Sequence, residues 1–170
     1  MTSHAEDLER HDLCGLAELL GERCRARGIT VTAAESCTGG GVASAITAVA
    51  GSSAWFETGY VTYANGAKAR LLGVPETLLA EHGAVSREVV EAMVAGACRD
   101  SGAGLGVAIS GVAGPGGGSA EKPVGTVWLA WGSAEGAESA CLRFPGDRAA
   151  VREQAVREAL AGLVRRLVPS

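Results

Sequence analysis

Apolar residues along this chain switch between two spacings, and the switches divide it into elements. Over residues 8–27, Leu13, Leu16, Ala17, Leu19, Leu20 and Cys24 recur at helical intervals, and Gly28 follows as a left-handed stop. Residues 29–34 then read as a short strand rich in β-branched side chains. Helical spacing returns at Val42, Ala45, Ile46 and Val49, is broken at Gly51-Ser52-Ser53, and gives way to a second strand over 58–63. Asn65 is the expected N-cap of a short helix carrying Lys68, Leu71 and Leu72. Gly73-Val74-Pro75 closes that helix, and Pro75 suits the start of the next. Ser86 caps a longer helix through Val90, Met93, Val94 and Ala97 to about Asp100, with Glu88 and Glu91 in its early turns. A continuous buried strand at 105–110, a glycine loop at 111–118, an alternating strand at 124–131 and a returning strand at 138–144 complete the β content. The last helix starts near Asp147, buries Val151, Ala155, Val156, Ala159, Leu160 and Leu163, and exposes Arg152, Glu153, Arg157 and Glu158.

Helices that alternate with strands and then yield to a hairpin predict a three-layer α/β/α sandwich around a mixed, mostly parallel sheet. Residues 1–170 suit a single domain, with 1–7 as a disordered tail. Ligands in such folds gather at the C-terminal ends of strands. The turn after the first strand and the 111–118 loop both leave that edge.

Composition narrows the function classes. Hydrophobic residues at 47% and charged ones at 20% fit a globular protein. A net charge of −4 argues against a general nucleic-acid binder, which needs a basic stripe. The five cysteines are odd in number, scattered and free of any C-x-x-C pair, so neither a disulfide framework nor a zinc site is indicated, and a reducing cytoplasm is expected. The three histidines have no metal-ligand spacing, and His82 reads as a loop residue. No apolar run reaches membrane-spanning length. No metal or cofactor is expected.

Candidate chemistry concentrates at Ala34-Glu35-Ser36-Cys37-Thr38-Gly39-Gly40, a hydroxyl and glycines set on a strand-to-helix turn. Ser36 can be a nucleophile or only a helix cap; the surroundings do not match G-x-S-x-G, and no Ser-His-Asp set is apparent. A base would have to be Lys68, Tyr63 or a water held by Glu35. Gly114-Pro115-Gly116-Gly117-Gly118 permits close backbone approach or is a flexible connection; it is neither a P-loop nor a dinucleotide fingerprint. Ser119-Ala120-Glu121-Lys122 has the S-x-x-K spelling, but Pro123 removes the helix that motif needs. Lys122 reads instead as a cation beside the glycine loop, and Arg148 as a surface charge or an anion clamp. Trp128 is expected in the core, while Trp55 and Phe56 are candidates for ring stacking or a dimer interface.

These segments together resemble the CinA C-terminal domain family. Besides the Ser36 turn, the resemblance rests on Tyr63, Asn65 and Lys68 before Leu71-Leu72-Gly73-Val74, Gly83-Ala84-Val85-Ser86, Gly111-Val112-Ala113-Gly114-Pro115-Gly116-Gly117, Lys122-Pro123-Val124-Gly125-Thr126-Val127 and Gly146-Asp147-Arg148. Ala64 stands where many relatives have serine, and Ser110 where they usually have threonine. The resemblance implies hydrolysis of the carboxamide of nicotinamide mononucleotide to nicotinate mononucleotide and ammonia, a salvage step, by a homodimer. It does not carry over the N-terminal domain of two-domain members. On that basis Ser36, Lys68 and Tyr63 are the expected catalytic residues. Glu35, Thr38, Gly39, Gly40, Gly114, Gly116, Gly117, Lys122 and Arg148 are the expected substrate-binding ones. Either the Thr38-Gly39-Gly40 helix start or the 111–118 loop holds the oxyanion, and the other holds the phosphate. Alternatives are a competence- or damage-associated interaction module without amidase activity, an amidase for another substrate, and a nucleotide-binding sensor.

Overall fold

The computed structural model describes residues 8–168. The tail expected at 1–7 lies outside them. Helix α1 spans Leu13–Arg27 rather than starting near Leu8, because the Asp12 carboxylate caps it through the Gly15 amide at 2.7 Å. Gly28, at φ 61°, ends it as expected. Then come β1 (Val31–Glu35), α2 (Gly41–Thr47), a 3₁₀ turn (Ser52–Ala54) and β2 (Phe56–Val61). Next are α3 (Asn65–Leu72), α4 (Glu76–His82) and α5 (Arg87–Ser101), and finally β3 (Leu105–Gly111), β4 (Thr126–Gly132), β5 (Ala137–Arg143) and α6 (Arg148–Arg166).

The strands form one sheet in the order β2-β1-β3-β4-β5. Of its four pairings, β1 with β2 and β1 with β3 are parallel, while β3 with β4 and β4 with β5 are antiparallel. The sheet is therefore mixed and mostly parallel as expected, in that β1, β2, β3 and β5 run in one direction and β4 alone runs against them. Ala34, Ala108 and Ala130 lie side by side across β1, β3 and β4. That row of small side chains lets α5 settle closely through Val90, Met93, Val94 and Ala97. The opposite face carries Val31, Ala33, Val107, Ile109, Leu129 and Trp131, and α1, α2 and α6 cover it. Helices on both faces make the three-layer sandwich.

Several local expectations change. Asn65 is the first residue of α3, not its cap; Ala64 holds the cap position and has no side chain able to accept there. His82 ends α4 rather than sitting in a loop. Trp55 and Phe56 are buried in the core, where the Trp55 ring lies against Gly21, so neither is placed to stack on a ligand or a partner. Trp128, expected in the core, is only half-buried, because its side of β4 is incompletely covered beside Lys122. Arg157 is not a free surface charge, since its guanidinium donates to the carbonyls of Leu8, Glu9 and His11. None of the helices among the described residues is long and apolar enough to cross a membrane.

Candidate active site

Ser36 leaves the C-terminal end of β1, and its amide donates to Ile109 on the neighbouring strand at 2.9 Å. The following helix does not start until Gly41, with Gly40 (φ 101°) as its cap residue. Ser36 thus lies outside the first turn, and its hydroxyl is not spent on capping. Glu35 caps the helix instead, its buried carboxylate accepting from the amides of Val42 at 2.8 Å and Ala43 at 3.1 Å. An acidic side chain at a helix start complements the dipole. It takes up two of the amides at the helix start, and Glu35 faces the helix rather than a ligand. Gly39 and Gly40, both at positive φ, shape the turn that brings the chain round.

Lys68 reaches Ser36 from the middle of α3. Its side chain is almost completely enclosed, and Nζ stands 2.9 Å from Ser36 Oγ, 2.8 Å from the Thr62 carbonyl and 3.2 Å from the Tyr63 carbonyl. Burial lowers its pKa from the ordinary lysine value. With two N–H bonds directed at backbone carbonyls, a neutral amine has its lone pair left to accept the Ser36 hydroxyl proton. Among the described residues no carboxylate forms an ion pair with it. The thiol of Cys37, the next residue after Ser36, is pushed up by burial to about 11 and stays protonated near neutrality.

The pair opens into a cavity of about 230 Å³ whose wall includes Ser36, Cys37, Tyr63, Asn65, Lys68, Ala84, Val85, Ser110, Ala113 and Arg148. Five separate stretches of sequence meet at this sheet edge. Tyr63 lies beyond the end of β2 and is exposed at the rim, where its hydroxyl accepts from Arg148 Nη2 at 2.7 Å. Arg148 Nη1 donates to the Gly114 carbonyl at 2.9 Å, tying the glycine loop to the head of α6. The amide of Cys37 makes no hydrogen bond to the protein among the described residues, nor does that of Ala113. These two N–H groups belong to residues of the cavity wall.

Not every expected residue converges here. Gly116 and Gly117 belong to the glycine loop but line neither this cavity nor the larger one beside it. Thr38 is buried behind the turn, its hydroxyl without a partner among the described residues. Lys122 points elsewhere: its amine donates to the His82 carbonyl at 2.7 Å and lines a different cavity with Trp128. Sequence reasoning missed Arg152, assigned to the exposed face of the last helix. It is half-buried, and donates through Nε to the Cys37 carbonyl at 3.1 Å and through Nη2 to the Thr38 carbonyl at 3.3 Å. Its place one helical turn after Arg148 was the available signal. Ser110 and Val85 were also passed over as wall residues, although Val85 lies in one of the quoted motifs and Ser110 directly precedes another.

Comparison with known proteins gives consistent matches. The family model described as CinA C-terminal domain matches residues 14–167. "Nicotinamide-nucleotide amidohydrolase PncC" of Pseudomonas putida is 63% identical over 149 residues, covering 88% of this chain and 93% of that protein. The protein of the same name from Escherichia coli K12 is 57% identical over 154 residues, covering 89% and 93%. Among solved structures, a competence-damaged protein (CinA) superfamily protein from Klebsiella pneumoniae superposes with a TM-score of 0.89 at 43% identity, covering 92% of this chain and 98% of that one.

Proposed function

The chain belongs to the CinA C-terminal domain family, and from that premise we propose that it hydrolyses the carboxamide of nicotinamide mononucleotide to nicotinate mononucleotide and ammonia, a step of pyridine-nucleotide salvage. The observation that carries this reading is the 2.9 Å contact between buried Lys68 and Ser36 at the wall of a cavity. Ser36 Oγ attacks the carboxamide carbon while neutral Lys68 takes the hydroxyl proton. The tetrahedral oxyanion is held by the N–H groups of Cys37 and Ala113; one such donor is typically worth about 2.7–4 kcal/mol in the transition state. Lys68 returns its proton to the departing nitrogen, so ammonia leaves and an acyl ester remains on Ser36. Water then attacks the ester carbonyl, Lys68 accepts the water proton, and the acid product departs as the proton returns to Ser36 Oγ. Tyr63 and Arg148 hold the rim, and no step calls for a metal or cofactor.

The whole chain acts as one catalytic domain, works in the cytoplasm and pairs as a homodimer. The free outer edge of β2, beside the exposed Val61 and Leu71, supports the last of these. The net charge of −4 supports a small-molecule rather than a nucleic-acid partner. The test is ammonia release from nicotinamide mononucleotide by the purified chain and by Ser36→Ala. Release by the parent and its loss in the variant are expected; a well-folded parent that releases none overturns the amidase reading.

A further inference from the structure

Beside the Ser36 cavity lies a larger one of about 650 Å³, and the two share Ala113 and Arg148. Its wall also contains Pro115 of the glycine loop, Val124, Gly146 and Arg152. Arg148 and Arg152 stand one turn apart on α6, which places their side chains on the same helix face. Neither guanidinium has a carboxylate within salt-bridge distance among the described residues. The one acid in this wall, Asp147, is engaged in capping α6, its Oδ1 accepting from the Ala150 amide at 2.9 Å.

The hydrogen bonds of the two arginines leave donors to spare. Arg152 uses Nε and Nη2 on the Cys37 and Thr38 carbonyls, and among the described residues no bond involves its Nη1. Arg148 uses Nη1 and Nη2 on Gly114 and Tyr63, which leaves its Nε–H. A guanidinium carries five N–H donors, so both side chains can be fixed by the protein and still bind an anion. Two oriented cations without counter-charge, in a half-enclosed cavity adjoining the nucleophile, suit a phosphate better than a neutral group.

We propose that Arg152, together with Arg148, forms the subsite for the substrate's 5′-phosphate in the larger cavity, and that Arg152 determines the preference for a nucleotide over its nucleoside. The inference rests on the amidase reading for the identity of the substrate, but not for the binding of a phosphate. It moves the phosphate away from the start of α2, which Glu35 occupies, and away from Lys122, which is bonded to His82. It also gives Gly39 a second purpose. A Cβ there would come within 3.2 Å of Arg152 Nη2 and disturb the seat of that side chain.

The experiment compares kcat/KM for nicotinamide mononucleotide and nicotinamide riboside in the parent, Arg152→Gln and Arg152→Lys. In parallel, calorimetric titration with ribose 5-phosphate and with ribose reads binding without turnover. Arg152→Gln should lower the nucleotide-to-nucleoside ratio on the order of 10- to 100-fold, the loss of one charge-assisted contact, and Arg152→Lys should restore part of it. If Arg152 only positions the Ser36 turn through the Cys37 and Thr38 carbonyls, both substrates suffer alike, the ratio stays constant, and the proposal is overturned. Ribose 5-phosphate should bind the parent more tightly than ribose, and Arg152→Gln should erase the difference. A parent inactive on the nucleotide that still shows this Arg152-dependent difference keeps the subsite and loses the amidase reading; equal binding of the two sugars removes the subsite.

Discussion

At the scale of single residues, Lys68 carries both a chemical and a thermodynamic consequence of its burial. A lysine whose folded pKa lies below its unfolded value binds fewer protons folded than unfolded between those two values. Stability contributed by this site therefore rises with pH across that window; below the folded pKa, the cost of the enclosed ammonium is felt in full. Lys68→Met, which keeps the chain length and removes the charge, should flatten this dependence in denaturant titrations run between neutral and alkaline pH. The same variant should lose at least about 10³-fold in kcat, as expected when a nucleophile's base is removed. The parent's pH–rate profile should rise on its acid limb as Lys68 becomes neutral. A parent profile without that limb would exclude lysine as the base. Sequence disclosed Ser36 because its hydroxyl sits on a strand-to-helix turn, and Lys68 because it is one of the few groups near it along the chain able to act as a base. It could not disclose that Lys68 Nζ ends 2.9 Å from the hydroxyl, since that depends on how α3 crosses the edge of the sheet.

Helices and strands follow the periodicity of the chain, and their ends follow the caps. Ser86 and Asp147 were readable as caps because their short oxygen-bearing side chains precede apolar periodic runs, and both accept from an amide three residues on. Asn65 misled because asparagine resembles a cap, whereas the backbone turns into the helix one residue earlier, at Ala64 (φ −92°, ψ 153°). The start of α3 is thus less well satisfied than those of α5 and α6. Ala64→Ser should stabilise the protein by about 1 kcal/mol, read as a shift in the urea midpoint at constant m-value. The change touches only an exposed position, so kcat should stay within a factor of two. An unchanged midpoint would mean that solvent already satisfies the first amides of α3. Glu35 is the converse case. A glutamate ending a strand looked like a ligand group, and its capping role depends on the turn that brings α2 back over it. Glu35→Leu should cost on the order of 3 kcal/mol through two orphaned helix amides and the lost charge-assisted bonds, and should lower the thermal midpoint.

For the molecule as a whole, the sheet edge that holds the site also bears on assembly. Among the described residues, the strand order leaves β2 and β5 each with one unpaired side. At the β2 end, Val61, Tyr63 and Leu71 are large apolar groups left about half exposed. Unpaired strands that carry apolar side chains usually require cover. Burying Val61 and Leu71 against a second copy would put the interface next to Tyr63, and hence next to the rim that Tyr63 and Arg148 form together. A homodimer of this kind would couple dimerisation to substrate affinity, a relation invisible in the sequence because Val61 and Arg148 lie far apart along it. Sedimentation velocity should give twice the chain mass for the parent, and Val61→Lys combined with Leu71→Lys should give a monomer by placing like charges across the interface. The monomer should keep its circular dichroism while KM rises, because the Tyr63–Arg148 contact at the rim loses its support; kcat, set by the enclosed Ser36 and Lys68, should change much less. A parent that sediments at the mass of one chain would remove both the dimer and the coupling, whereas a monomeric double variant with parental KM would leave the dimer but show that the rim is braced from within.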